Sequence, residues 1–275
     1  MVSPSNSPRL LPSRQPLPHR SPRLQAVPVP AFKLSQSGSG DSLGTGEFTI
    51  NVYKGPHLCG GAKHRLLGIL PDTTGQPADA ASMHAARQKI VVGEIMNYTT
   101  QVGDVVVCSI SSMSCGLPIT SQNITGEGYG VAVDRKGDCW MSAETAGSAS
   151  ATLAYWKGCA GSGQTATGFE NQHAGGLFID GKGNLGAIDF GGALYVYKGC
   201  NPKCTLIGGP FALQGASLFG NLNATGSQLA VGDYANGSVD VYDYSASGIS
   251  FQYSFNNGLT QADGVESGIF APTNE

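Results

Sequence analysis

Few side chains in this sequence have the chemistry to act on a ligand. Glu127, Gln172, His173 and Asp263, with Gln214 and His84, stand just before or within short apolar runs, where loops lead into strands. Two carboxylates such as Glu127 and Asp263 could hold a divalent cation that polarises a carbonyl, and His173 could take the proton of the attacking water. A second acidic set, Glu94, Glu144, Asp189 and Asp233, recurs at one position of a repeating pattern. Four equivalent carboxylates could ring a cation. The same position precedes a turn, however, where a carboxylate accepts exposed backbone N–H groups. The set is therefore read as structural turn acids, with no catalytic residue and no metal ligand among them. There is no phosphate-cradling glycine loop opening a helix and no zinc-type C-x-x-C pair.

The seven cysteines offer a different chemistry. Cys200 and Cys204 flank a turn-forming Asn-Pro, and Cys108 and Cys115 flank "SISSMS", so each pair is spaced to meet across a hairpin. Two such disulfides imply an oxidising compartment. Cys139, inside an apolar strand, reads as a buried thiol, while Cys59 and Cys159 have no near partner in sequence.

The elements that position these residues repeat. "GVAVDRKGDCWMSAE" (130–144), "GLFIDGKGNLGAID" (176–189) and "FGNLNATGSQLAVGD" (219–233) each join two apolar stretches through Asp or Asn and a glycine turn. The Asp carboxylate and the conformational freedom of the glycine specify a tight hairpin. A degenerate copy ends in "QKIVVGE" (88–94). Each copy is followed by a β-branched or aromatic run, "DVVVCSI", "TLAYWKG", "ALYVYKG" and "SVDVYDY", and a similar run, "TINVYKG" (49–55), precedes them all. Another weak strand follows every one. Four strands in about 45 residues, with no sustained helical period, is the unit of a β-propeller.

The two best copies, "GVAVDRKGDCWMSAE" and "GSQLAVGDYANGSVDVYDY", resemble NHL repeats. The likeness covers roughly residues 80 to 258 and weakens at "DAASMHAARQ". It implies an all-β propeller of about five four-stranded blades, or part of a six- or seven-bladed ring. In the five-blade arrangement "DGVESGIFAP" (263–272) supplies the inner strand of the blade begun by "FTINVYKG…HRLLGIL". A more distant similarity to lactonase-type propellers implies the alternative activity, a metal-dependent hydrolase with a cation in the central channel.

Composition narrows the class. Only 13% of residues are charged while Gly numbers 40, so Ser, Thr, Asn and Gly must cover the surface. A net charge of −3 gives no argument for a nucleic-acid partner, and no apolar run reaches the length of a membrane-spanning helix. Residues 1–45 are Pro-, Arg- and Ser-rich without an acidic side chain before Asp41, and read as a disordered leader and linker. Residues 46–275 form the propeller. The expected role is noncatalytic binding or scaffolding of an unknown protein, glycan or surface ligand. The expected protein is extracytoplasmic or secreted and monomeric, with no cofactor unless the hydrolase alternative brings a divalent cation. Tyr155, Trp156, Tyr195, Tyr197, Tyr242 and Tyr244 serve either ligand contact or packing between blades.

Overall fold

A computed structural model describes residues 31–37, 49–55, 65–71, 78–84, 89–97, 102–119, 124, 126–145, 148, 150–223, 225–233 and 235–255. The first sheet has three antiparallel strands, β1 (Ala31–Ser37), β2 (Thr49–Gly55) and β3 (Arg65–Pro71), in that order. Four four-stranded meanders follow. They are β4 (Ala78–His84), β5 (Lys89–Asn97), β6 (Val102–Ser109) and β7 (Ser114–Cys115); β8 (Glu127–Val133), β9 (Cys139–Glu144), β10 (Ala151–Trp156) and β11 (Gln164–Thr165); β12 (Leu177–Ile179), β13 (Leu185–Asp189), β14 (Ala193–Lys198) and β15 (Thr205–Ala212); and β16 (Ser217–Leu222), β17 (Gln228–Asp233), β18 (Ser238–Ser245) and β19 (Gly248–Phe255). Within each sheet every strand pairs antiparallel with its neighbour in sequence. The arrangement is a β-propeller with four complete blades among the described residues.

Two expectations bear on the first sheet. Strand β1 lies within the stretch read as leader: Ala31–Ser37 contains no proline, so its backbone donors are available to pair with β2. That sheet has three described strands, and the segment 263–272, expected to complete it, lies outside the described residues.

The repeated hairpin forms for the reason its residues suggest. Asp180 Oδ1 accepts the backbone N–H groups of Lys182 and Asn184, both at 2.8 Å, and Gly183 takes φ +80°. Asp134 does the same for Lys136 and Asp138 at 2.9 Å, and Asn223 for Ser227 and Gln228. Each such turn reverses the chain between the first and second strands of a blade.

The core lies between blades. One buried cluster joins Val91 and Val105 of the first complete blade to Val131, Met141 and Trp156 of the second. Another joins Trp140 and Leu153 to Leu177, Leu185 and Tyr197 of the third, and the last joins Phe178 and Ile188 to Leu229, Val231 and Tyr242 of the fourth. Burying both faces of the inner strands explains their nearly continuous apolar runs. Phe219, on β16, is 6% exposed and belongs to the cluster of the first two blades, so an apolar side chain fills the space between inner strands at that level. Gly130 on β8 comes so near the next inner strand that a Cβ would meet Gly175 O and stand 2.6 Å from Leu177 N. Only glycine permits that approach.

Candidate functional site

The connectivity gives the propeller two unlike ends. At the upper end the second strands stop and loops lead into the inner strands; at the lower end lie the turns that follow each first and third strand. Blades share this orientation: Gly103 N in the first blade donates to Gly126 O at the start of the second, and Glu144 of the second reaches Ala174 N at the start of the third.

The repeating acids gather at the upper end, and the structure shows what holds them there. Glu144 ends β9, and its Oε2 accepts Ala174 N at 2.7 Å while Oε1 lies 3.0 Å from His173 Nδ1. Asp189 ends β13. Its Oδ2 accepts Gln172 N at 2.8 Å and His173 N at 3.1 Å, and Oδ1 accepts Gly191 N at 2.8 Å. The loop 172–174 is thus clamped by one carboxylate from the preceding blade and one from its own. Asp233 accepts Asn236 N at 3.1 Å and Asn236 Nδ2 at 2.6 Å, and it packs so tightly on Gly215 that a Cβ there would overlap the carboxylate. Glu94 is fully buried at the end of the equivalent register, facing the equally buried Asp104 across the strand pair. Charge-assisted bonds to loop amides are strong and directional. The carboxylates act as staples.

His173 is the site residue with the most chemistry left. Its side chain is 38% exposed while Glu144 is 14% exposed, so the carboxylate orients one ring nitrogen and leaves the other edge of the ring towards solvent. Gln172 contributes its backbone N–H, and Gln214 N donates to the Tyr242 hydroxyl at 2.8 Å. Glu127 opens β8 directly across from Glu144 and is half-buried. His84, expected with this group, ends β4 opposite Lys89; β4 runs downward, so its last residue belongs to the lower end. Asp263 lies outside the described residues. No cluster of three or more His, Cys, Asp or Glu suited to a metal ion occurs among the described residues.

Sequence reasoning did not single out two residues of this assembly. Ser142, 1% exposed, donates to Gly175 O at 2.6 Å and accepts Gly130 N at 3.0 Å, tying adjacent inner strands together. Asn171, 3% exposed, accepts the Tyr197 hydroxyl at 2.9 Å. A serine within an apolar strand carries a signal, since a buried hydroxyl needs a partner; an asparagine in a polar loop carries none.

The aromatic residues prove to be packing. Trp156, Tyr197 and Tyr242 are at most 1% exposed and Tyr155 is 6% exposed. Burial, with Asp138 beside it, pushes the Tyr155 hydroxyl up to about 12, and burial pushes Tyr242 to about 12 as well. Tyr197, Tyr195 and Tyr244 are also raised, chiefly by burial. Tyr244 crosses from the fourth blade to the third, meeting Phe178 edge-on and Asp180 through its hydroxyl.

Both expected hairpin disulfides, Cys108–Cys115 and Cys200–Cys204, are present. A third joins Cys139 to Cys159, correcting the reading of Cys139 as a thiol and of Cys159 as partnerless. Cys139 pairs in register with Trp156, and the single 3₁₀ turn Lys157–Cys159 folds Cys159 back beside it. A separation of 20 residues hides that contact from spacing alone. Cys59 lies outside the described residues.

No protein-family model matches the sequence. No curated protein matches it either. Many solved structures do. One is the crystal structure of a functionally unknown protein from Desulfotomaculum acetoxidans DSM 771, with a TM-score of 0.53 and 16% identity over 82% of this chain and 70% of that one. The chain is a β-propeller. At this identity the likeness is one of fold alone. Among the described residues no helix is long and apolar enough to cross a membrane.

Proposed function

We propose that the protein is a noncatalytic propeller of the NHL-like kind that binds or scaffolds a ligand. The observation that carries this reading is the occupation of Glu144, Asp189 and Asp233 by backbone amides of the loops beside them. A carboxylate already saturated by fixed donors has little capacity left for a cation or a proton. The apolar filling by Phe219 adds to this, because a channel-bound cation needs an open polar cavity. The ligand is a protein, glycan or surface engaged through loops and turns, and the protein acts without a cofactor as a monomer. Three disulfides among the described residues favour an oxidising, extracytoplasmic setting.

One observation favours the alternative, a metal-dependent lactonase-type hydrolase: the 3.0 Å contact of His173 Nδ1 with Glu144, which orients the imidazole as a base would need. Lactone hydrolysis by the full chain, measured with each common divalent cation in turn, separates the two. The binding reading predicts no turnover above buffer. Turnover that is lost in His173→Ala would refute it.

A further inference from the structure

In the segment 89–255 the cations are confined to one end of the propeller. Between residues 89 and 255 there are seven Lys and Arg side chains, and each belongs to the lower end. Arg135 and Lys136 form the tip of the turn after β8, and Lys182 the tip of the turn after β12. Lys157 follows β10, while Lys198 ends β14 and Lys203 completes the turn that leads to β15. Lys89 begins β5. All seven are exposed. Within residues 89–255 these seven cations are scattered in sequence, and the antiparallel register brings them to one side.

The acids are distributed the opposite way. Glu94, Glu127, Glu144, Asp189 and Asp233 stand at the upper end. At the lower end Asp134 and Asp180 accept amides of their own turns, Asp138 accepts Gly158 N and the Tyr155 hydroxyl, and Asp180 also accepts the Tyr244 hydroxyl. Asp243 is the exposed exception. A chain with a net charge of −3 therefore carries a positive face, which neither its total charge nor its local sequence reveals. Such a face raises the local concentration of an anionic partner and orients its approach.

We propose that this lower face is the ligand-binding surface and that it takes an acidic polysaccharide, a polymer bearing a carboxylate or sulfate on successive sugars. The proposal rests on the binding reading above and names its partner. Charge complementarity selects a polyanion. The tips choose among polyanions: residues 134–138, 157–163, 180–184 and 198–204 contain no aromatic ring and no large aliphatic side chain. Stacking platforms for nucleic-acid bases are therefore absent from these turns, as are apolar side chains that would enter a bilayer. What they offer is lysine ammonium groups, backbone N–H groups of Gly-rich turns and small polar side chains, a set that pairs with carboxylates and sugar hydroxyls. Six of the seven cations are Lys, point charges on flexible stems suited to a polymer of variable conformation.

The test is retention of the full chain on immobilised polygalacturonate, with neutral galactan as the blank. The wild type is expected to bind the acidic polymer only, more weakly as salt shortens the screening length. The combined variant Lys136→Gln, Lys157→Gln, Lys182→Gln and Lys203→Gln is expected to bind at least about tenfold more weakly while unfolding at the wild-type temperature, as exposed positions allow. Glu170→Gln, which lowers net negative charge without touching those turns, is expected to bind no more weakly than wild type. Absence of binding, binding unaltered in the lysine variant, or stronger lysine-dependent binding to single-stranded DNA or to phosphatidylserine vesicles would each overturn the assignment. The same preparation is assayed for lactone hydrolysis. No binding with no hydrolysis removes the ligand assignment alone, whereas hydrolysis that depends on His173 removes the binding reading beneath it.

Discussion

Replacing Asp189 by Asn removes one charge and almost no volume, so its effect isolates what the carboxylate does. Asp189 is 3% exposed and accepts three backbone N–H groups, two on Oδ2 and one on Oδ1. An asparagine can keep its carbonyl oxygen towards Gln172 N and His173 N, where two donors wait. Its amide group then faces Gly191 N–H, donor against donor. One charge-assisted bond is lost and two fall to the strength of neutral bonds, a destabilisation of about 3 kcal/mol. For a chain of this size that lowers the melting temperature by about 9 °C. Urea denaturation followed by tryptophan fluorescence, with Glu170→Gln as an exposed control expected to change stability by less than about 0.5 kcal/mol, measures the difference. If Asp189 were instead held for a cation, neutralising it without metal would cost little or would stabilise by relieving repulsion. A loss below about 1 kcal/mol, or any gain, would refute the staple.

Further outcomes follow from the same geometry. Gly130→Ala should destabilise by about 2 kcal/mol or more, since its Cβ would meet backbone of the neighbouring inner strand, whereas Gly181→Ala, with open space around it, should be neutral within about 1 kcal/mol; paired thermal melts decide this. Tyr155 and Tyr242 ionise at about 12 in the folded protein against 10.0 for an unperturbed tyrosine. The unfolded chain therefore loses those protons first, and stability should be intact below about pH 10 and fall between about pH 10 and 12; tyrosinate absorbance that rises fully near pH 10 without unfolding would contradict it. Replacing Cys139 and Cys159 together by Ala should cost about 3 kcal/mol, from the loop of 20 residues they close, measured by denaturation under non-reducing conditions.

The hairpin turns were legible because a carboxylate, two intervening residues and a glycine have one good local solution, which Asp134 and Asp180 adopt. Close disulfides were legible for the same reason, and Cys139–Cys159 was not, because its contact is made by strand pairing and not by chain proximity. The repeating acids were legible as turn residues. Their reach into the next blade, as from Glu144 to Ala174, depends on how blades pack and leaves no local pattern. His84 was misplaced because a degenerate repeat gave no turn from which to count direction. The lower-face cations stayed hidden because they are scattered in sequence and gathered only by register.

Whether the upper-end carboxylates fix the loops beside them or serve a metal centre is decided by thermal unfolding of the full chain in EDTA and then in Ca²⁺, Mg²⁺, Mn²⁺ or Zn²⁺. A cation bound at a hundred times its dissociation constant would add about 2.7 kcal/mol. The account predicts one transition whose midpoint is the same in EDTA and in every metal. A midpoint raised by a single cation, with the rise abolished in Glu144→Gln or Asp189→Asn, would contradict it.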